Sequence, residues 1–302
     1  MPNKPDPAAV RTAGLPDPWR LNVDLHCHSH FSDGVLAPAA LAQRAHANGV
    51  RVLALTDHDE LAGLSEAAAT AKALGMGFIP GVEISVTWGD TTIHVLGLRI
   101  DPTHPALVDG LASIRNGREG RARTMAASLA AVGIPGAYEG AAAYAGNPAL
   151  ISRTHFARFL VEGGHCESVQ TVFGSYLVEG KPGYAPHRWA TLTDALSWIQ
   201  AAGGVAVLAH PGRYRLDQVA LWALLEEFRE AGGLAIEVIT GSHTRDQYRR
   251  FAQLALEFDL RASRGSDFHS PQESRVDLGE LPPLPDSVVP LWHDWDDVMK
   301  HN

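Results

Sequence analysis

Short apolar runs of strand length alternate with longer amphipathic runs over the first hundred residues. The apolar runs predict β-strands, and the amphipathic runs that end near Gly49 and Gly75 predict α-helices. The predicted strands cover residues 21–25, 50–56, 78–85 and 92–100, and the predicted helices cover residues 38–48 and 64–74. This alternation is typical of parallel βαβ units.

The pattern changes between residues 101 and 188, where helical periodicity and loops replace the alternation. Helices are predicted over residues 107–132, 151–161 and 169–180. We therefore interpret residues 101–188 as a helical insertion that covers the active site.

The alternation of predicted strands and helices resumes after residue 188. Helices are predicted at 192–202, 216–231 and 244–258, and strands at 205–209, 234–239 and just before Gly265. The predicted α/β barrel thus consists of residues 21–100 and 189–281. The proline-rich residues 1–20 are expected to form a flexible leader, and residues 282–302 a tail that packs across the outside of the barrel.

Composition narrows the class of protein. The chain has 302 residues, of which 45% are hydrophobic and 20% charged, as expected of a globular protein with a large core. Its net charge of −9 argues against a broad nucleic-acid-binding surface, so stable binding of double-stranded nucleic acid is not expected. No apolar run is long enough for a membrane span, and two cysteines without a signal peptide favour a cytoplasmic protein.

Histidines and carboxylates cluster at the predicted strands. His26 and His28 are two residues apart, so on an extended strand they point to the same face, and Asp33 follows. Imidazole and carboxylate groups are typical ligands of divalent metals. The candidate metal ligands are His26, His28, Asp33, His58, Glu83, His94, His210, Asp267 and His269. Because the functional face of such a barrel lies at the carboxyl ends of its strands, we expect these side chains to meet in one pocket.

Several of these residues also allow a structural interpretation. Asp57 could be a ligand, a partner that supports the ligands or a helix cap, and we favour the supporting role. His94 lies inside an apolar strand and could be a core histidine, and His210 could shape a turn before Pro211. Glu83 stands among apolar residues, where an unpaired carboxylate would be costly, which favours a metal partner.

Five motifs together resemble those of the PHP (polymerase and histidinol phosphatase) superfamily. They are Asp24–Gly34, Thr-Asp-His-Asp at 56–59, Gly-Val-Glu at 81–83, Ala-His-Pro-Gly at 209–212 and Gly-Ser-Asp-Phe-His at 265–269. The resemblance implies a distorted (β/α)7 barrel with three divalent metal ions. Manganese is favoured, with iron, zinc and magnesium as alternatives.

The resemblance also implies how the ligands are shared among the metals. One ion would take His26, His28, Glu83 and Asp267. A second would share Glu83 and take His94 and His210. The third would take Asp33, His58 and His269.

Within this superfamily, the helical insertion resembles that of the 3′,5′-nucleoside bisphosphate phosphatases, also described as the 5′-to-3′ exoribonuclease RNase AM. The supporting segments are Arg115–Arg121 and Ile151–Arg158. The resemblance implies that Arg118, Arg121, Arg153 and His155 line the substrate pocket. Ser152, Arg153, Thr154 and His155 also place donors near a predicted helix start, which suits phosphate binding. Gly34 is expected to leave room where the substrate approaches. The alternative for Arg118 and Arg121 is a solvated helix face.

The expected reaction is hydrolysis of the 3′-phosphate of a nucleoside 3′,5′-bisphosphate. Removal of 5′ nucleotides from short 5′-phosphorylated RNA would use the same geometry. A metal-bridging hydroxide would attack, with no side-chain nucleophile and with His155 as a candidate acid or phosphate ligand. The alternatives are a histidinol-phosphate phosphatase or other small phosphomonoesterase, a non-catalytic metal-binding PHP module, and a metal-dependent amidohydrolase.

Overall fold

A computed structural model describes residues 17–145, 147, 150–296 and 298. The predicted leader, residues 1–20, lies largely outside the described residues, as does part of the tail. In the described part of the chain, no helix is both long and apolar enough to cross a membrane.

Seven strands form one sheet in which each strand pairs with the next along the chain. They are β1 (Val23–Asp24), β2 (Val52–Leu55), β3 (Gly77–Trp88), β4 (Thr91–Leu98), β5 (Val205–Leu208), β6 (Ala235–Thr240) and β7 (Arg261–Gly265). Hydrogen bonds close the sheet between β1 and β7: Leu25 N donates to the carbonyl of Arg264 at 3.0 Å, and Asp267 N to that of His26 at 2.8 Å. The predicted distorted barrel is confirmed.

Strand β4 corrects the expectation of uniformly parallel strands. It runs antiparallel to both β3 and β5, whereas the other neighbouring pairs are parallel. Only Gly89 and Asp90 separate β3 from β4, which is too short for a parallel crossover and suits a hairpin. The first half of β4 therefore lies at the end of the barrel where the parallel strands terminate.

Helices follow or flank most strands. They are α1 (Pro38–Ala47), α2 (Leu64–Ala73), α3 (Pro105–Ala131), α4 (Ala137–Ala142), α5 (Arg153–Glu162), α6 (Val169–Val172), α7 (Leu192–Ala201), α8 (Gln218–Glu230) and α9 (Arg245–Glu257). Side chains cap several of their starts; Thr191, Asp217 and Thr244 each accept a hydrogen bond from the backbone three residues on.

Residues 101–188 carry α3 to α6 and have a hydrophobic cluster of their own, which includes Met125, Leu129, Phe156 and Leu160. The helix expected at 169–180 is shorter: α6 ends at Val172 and a π-helical turn, Phe173–Leu177, follows. Helix α4 was not predicted.

The C-terminal segment packs against β7 and shares the barrel's hydrophobic cluster through Val288, Leu291 and Trp292. Ala262 N of β7 donates to the carbonyl of Val289 at 2.9 Å. Trp292 is only 1% exposed, so this segment forms part of the folded core of the described chain.

Candidate active site

The nine predicted ligands meet at one end of the barrel. Among the described residues, their nitrogen and oxygen atoms form groups in which all atoms lie within 4.8 Å of one another. The groups are His26–His28–Asp267, His26–Glu83–His210, His58–Glu83–His94 and His28–Asp33–His58–His269.

Glu83 lies at the centre of the cluster and is fully buried. Its Oε1 is 2.8 Å from His94 Nδ1 and 2.9 Å from His210 Nε2, and its Oε2 is 2.9 Å from His58 Nδ1. His94 reaches Glu83 because it pairs with Ser85 in the antiparallel β3–β4 register. The strand reversal at Gly89 thus brings His94 to the site.

The ligand sets implied for the three ions can be compared with the distances between the side chains. Asp33, His58 and His269 lie together as expected, and His28 joins them. His26, His28 and Asp267 also lie together. Glu83, His94 and His210 are also close together, because His94 Nδ1 and His210 Nε2 are 3.3 Å apart and both lie beside Glu83 Oε1.

Opposite charges dominate the electrostatics of the cluster. Burial opposes ionisation of Glu83, but the nearby His58, His94 and His26 lower its pKa well below the usual value. Burial likewise lowers the pKa of His210, to about 3, so this imidazole is neutral and free to act as a ligand. The neighbouring histidines thus favour the ionised form of Glu83.

The cluster fits divalent metal ions. Asp33 Oδ1 and Glu83 Oε2 are buried and accept no hydrogen bond, although both lie beside histidines. Buried carboxylate oxygens are normally paired, so atoms of this kind suit a cation. The backbone of Asp59, His210 and Asp267 has positive φ angles of 51°, 27° and 56°, and such strain is concentrated at functional sites.

Glu237 is a site residue that the sequence analysis missed. Its buried carboxylate lies 2.9 Å from His26 Nδ1 and accepts the backbone N–H of His210 at 2.6 Å. This contact directs the Nε2 atom of His26 toward the other ligands. Its signal in the sequence was a lone acidic residue within an apolar strand, as at Glu83.

Asp57 and Asp59 accept hydrogen bonds that hold the segments next to the candidate ligands in place. Asp57 accepts hydrogen bonds from Ser29 N, Ser29 Oγ and Ser32 Oγ at 2.6–2.7 Å and so fixes the loop after His28, consistent with the supporting role expected of it. Asp59 accepts from the backbone and hydroxyl of Ser85 at 2.8 and 2.9 Å.

Gly34 is required for a different reason from the one predicted. It is buried, and a Cβ at this position would lie 2.1 Å from the carbonyl oxygen of His28. The missing side chain therefore permits close packing of the ligand loop and does not open space for substrate.

Three residues at the start of α5 were expected to bind substrate, but they contact the protein. The hydroxyls of Ser152 and Thr154 donate to Asp33 Oδ2 at 3.2 and 2.9 Å. His155 is fully buried, and its Nδ1 accepts the backbone N–H of Ser152 at 3.0 Å. Burial lowers the pKa of His155 to about 4. Because a neutral imidazole has no extra proton to give near pH 7, the geometry favours a capping role over the predicted acid.

Arg118 is buried in a pair with Asp59, its side chain only 5% exposed. It also lies over the ring of Trp189, 4.7 Å from the centroid. The alternative that Arg118 lies on a solvated helix face is thus wrong. Its guanidinium instead contacts Asp59 and Trp189 of the barrel.

Arg121 and Arg153 form no ion pair with a carboxylate of the described chain. Burial and the nearby Arg153 and Arg118 lower the pKa of Arg121 to about 9, and burial together with Arg213 lowers that of Arg153. Arg213 donates to Asp267 Oδ2 at 2.8 Å. We call Arg121, Arg153 and Arg213 the arginine cluster. The positive charges of Arg121 and Arg153, which no carboxylate of the described chain pairs, suit a phosphate.

The fold and the site define a class: an α/β barrel with a buried cluster of candidate metal ligands beside a cluster of arginines. The PHP domain model matches residues 24–241. The chain belongs to the PHP family.

Curated relatives cover nearly the whole chain. It is 51% identical to the 3′,5′-nucleoside bisphosphate phosphatase of Chromobacterium violaceum, over 90% of this chain and 96% of the relative. It is 44% identical to a 5′-3′ exoribonuclease of Haemophilus influenzae, over 89% of this chain and 97% of that relative. These relatives hydrolyse phosphate esters, which confirms the predicted enzyme class.

Solved structures agree. A Chromobacterium violaceum protein described as an amidohydrolase, with bound sulfate and no metal, superposes with a TM-score of 0.89 at 50% identity, over 92% of this chain and 96% of that one. A candidate metal-dependent phosphoesterase of Bifidobacterium adolescentis gives a TM-score of 0.76 at 27% identity, over 91% of this chain and 95% of that one. The predicted family and fold are both confirmed.

Proposed function

We propose that this enzyme hydrolyses the 3′-phosphate of nucleoside 3′,5′-bisphosphates and, at the same site, removes 5′ nucleotides from short RNA. The observation that carries the proposal is the arginine cluster beside the buried ligand cluster. Arg213 donates to Asp267 Oδ2 at 2.8 Å, so the two clusters are in contact. The relatives named above, which act on bisphosphate nucleotides and RNA, support the choice of substrate.

The nine His, Asp and Glu side chains would hold three divalent ions, with manganese favoured over iron, zinc or magnesium. Bound there, the ions would activate water as the nucleophile and neutralise the phosphoryl oxygens. The buried carboxylates of Glu83, Asp33 and Asp267 hold the charge that such ions require.

The residues of the chain supply binding and orientation. Arg121 and Arg153 would hold the 5′-phosphate, and Arg213, already directed at Asp267, would lie beside the phosphate that reacts. In the longer substrate the leaving group would be the same 3′-oxygen of the 5′ nucleotide. The remaining RNA would keep the attacked phosphorus and leave with a new 5′-phosphate.

Cys27 is not a nucleophile in this scheme. Its buried thiol donates to the carbonyl of Ala54 at 3.1 Å, and burial raises its pKa well above the usual value. A thiol in this state is a poor nucleophile. Both cysteines are unpaired, which supports our proposal that the enzyme acts in the cytoplasm.

Kinetics of Arg153→Ala tests the phosphate grip. Since a charge-assisted hydrogen bond contributes about 1.5–3 kcal/mol, KM for a nucleoside 3′,5′-bisphosphate should rise about 10- to 100-fold. KM for an aryl phosphate, which lacks the second phosphate, should change little. Arg123→Ala on α3 is the matched control, because Arg123 is exposed and pairs with Glu119. Equal effects of Arg153→Ala on the KM of both substrates would refute the proposed binding of the 5′-phosphate by Arg153.

The metal centre has a separate test. Asp267→Asn should lose metal content and turnover together, measured by elemental analysis and phosphate release. A variant that keeps full activity would exclude Asp267 as a ligand.

A further inference from the structure

The carboxylate of Asp33 divides its two oxygens between two tasks. Oδ2 accepts hydrogen bonds from the hydroxyls of Ser152 and Thr154. Oδ1 accepts none and faces the Nε2 atoms of His269 at 3.3 Å and His58 at 3.8 Å. One oxygen is thus held by the insertion, and the other is directed at the candidate ligands.

The backbone of the same loop is also held by α5. Arg158 donates from Nη2 to the carbonyl of Asp33 at 2.8 Å. Its guanidinium makes two further hydrogen bonds, of 2.8 and 2.7 Å, to the carboxylate of Glu273 in the segment after His269. Helix α5 therefore joins the two loops that carry Asp33 and His269.

Three consecutive residues at the start of this helix face different partners. Ser152 and Thr154 contact Asp33, whereas Arg153, between them, interacts electrostatically with Arg213 of the arginine cluster. The Ser152 hydroxyl also accepts the Thr154 N–H and so caps the helix. A single helical turn thus holds a metal ligand on one side and the arginine cluster on the other.

We propose that Ser152 and Thr154 are positioning residues for Asp33, and that the insertion thereby sets the affinity of the divalent ion held by Asp33, His58 and His269. This inference rests on the proposed metal centre. It assigns the two hydroxyls to ion binding and not to substrate binding. A ligand whose orientation is fixed by hydrogen bonds binds its ion more tightly, because less freedom is lost on binding.

Thr154→Val is the decisive variant, because it removes the hydroxyl, preserves the shape and leaves the Ser152 cap intact. We expect affinity for one ion of the set to fall about 10-fold, and more in the Ser152→Ala/Thr154→Val double variant. Calorimetric titration of the metal-free protein with Mn²⁺, with elemental analysis after dialysis, measures affinity and stoichiometry. Thr154→Ser should restore wild-type affinity.

Thr171→Val is the matched control. Thr171 lies three residues after the N-cap Ser168 of α6. Within the described part of the chain, its hydroxyl contacts the Ser168 hydroxyl at 2.8 Å and no carboxylate. It should bind Mn²⁺ as the wild type does. Thermal midpoints of the metal-free proteins separate a binding defect from a folding defect.

Steady-state kinetics at several Mn²⁺ concentrations distinguishes positioning of Asp33 from direct contact with substrate. If Thr154 positions Asp33, excess Mn²⁺ should restore the activity of Thr154→Val with an unchanged KM. A KM that stays high at every Mn²⁺ concentration would indicate direct substrate contact and overturn the inference.

The outcomes distinguish this inference from the proposed function. A wild-type protein that binds no divalent ion would overturn both. A wild type that binds ions, with a Thr154→Val variant that binds them equally tightly or loses all of them equally, would overturn the positioning role alone.

Discussion

The carboxylate of Glu237 is buried behind the ligand cluster, and it contacts His26 Nδ1 and the backbone of His210. A carboxylate in this position fixes the imidazole tautomer and makes the histidine a stronger ligand. Glu237 therefore acts on two ligands at once, one through its ring and one through its backbone.

Glu237→Gln keeps the shape but removes the charge. We expect affinity for divalent ions to fall about 10- to 100-fold, measured by titration of the metal-free protein. Glu227→Gln, which alters the exposed carboxylate that accepts from Trp88 Nε1, is the control. Unchanged ion affinity in Glu237→Gln would exclude the supporting role.

His243 makes the fold sensitive to acid. Its Nε2 accepts the backbone N–H of Gly212 at 2.9 Å, so Nδ1 carries the proton that is shared with the carbonyl of Val238. Burial lowers its pKa from 6.5 to about 4. Between those values the unfolded chain binds a proton that the folded chain does not, so stability falls as the pH falls.

The pH dependence can be measured by comparing wild type with His243→Gln in urea unfolding at pH 7 and pH 5. The wild type should lose more stability over this interval, by up to about 1.4 kcal/mol per pH unit for one proton. Identical losses in the two proteins would show that His243 does not contribute.

At the level of single residues, most of the candidate site could be predicted from the sequence. The spacing of His26 and His28, and the carboxylates near strand ends, were sufficient to bring nine side chains together in one prediction. Glu237 was missed because its partners are a ring and a backbone N–H more than twenty residues away, and no local spacing encodes such contacts. The hydroxyls of Ser152 and Thr154 were recognised as donors, but their acceptor, Asp33, is set by tertiary packing.

Helix α3 is tied to the barrel by a buried pair. Arg118 binds the carboxylate of Asp59, and Arg115 donates to the carbonyl of Asp59 at 2.6 Å. Both contacts converge on a residue beside His58. The insertion is thus connected to the ligand loops through α3 as well as through α5.

Arg118→Met tests this connection. Because Asp59 would stay buried without a cation, we expect a loss of about 3–5 kcal/mol in the free energy of unfolding. Arg123→Met on the same helix removes an exposed pair and should leave the unfolding midpoint unchanged. If both variants unfold at the same denaturant concentration, the buried pair contributes no more than an exposed one.

The direction of β4 was the main error at the level of elements. Alternating apolar runs predict strands but not their direction, and parallel pairing was assumed throughout. The two-residue connection at Gly89 and Asp90 was visible in the sequence and already required a hairpin. The short α4 and the π-helical turn after α6 depend on packing within the insertion, which periodicity does not report.

The C-terminal segment completes the barrel's core. Trp292 is buried among residues of that core, and its Nε1 donates to the carbonyl of Pro18 at 2.8 Å. Residues near both ends of the described chain thus meet beside β7. The sequence indicated a packed tail but not that its tryptophan would be almost inaccessible.

Trp292→Ala should cost about 3–5 kcal/mol of unfolding free energy, because it leaves a large cavity. Trp222→Ala is the matched control, since Trp222 on α8 is 43% exposed. Chemical denaturation of both variants measures the difference. Equal stabilities would mean that the segment is dispensable for the fold.

Closure of the barrel between β1 and β7 also orders events during biosynthesis. His26 and His28 are among the first site residues to be made, and Asp267 and His269 are the last. Because Asp267 N bonds to the carbonyl of His26 only when the two end strands meet, a nascent chain lacking β7 has an incomplete set of ligands. In the proposed metal centre, the ions that need Asp267 or His269 would therefore be bound late, and a full set of ions would report that the whole barrel has been synthesised and closed.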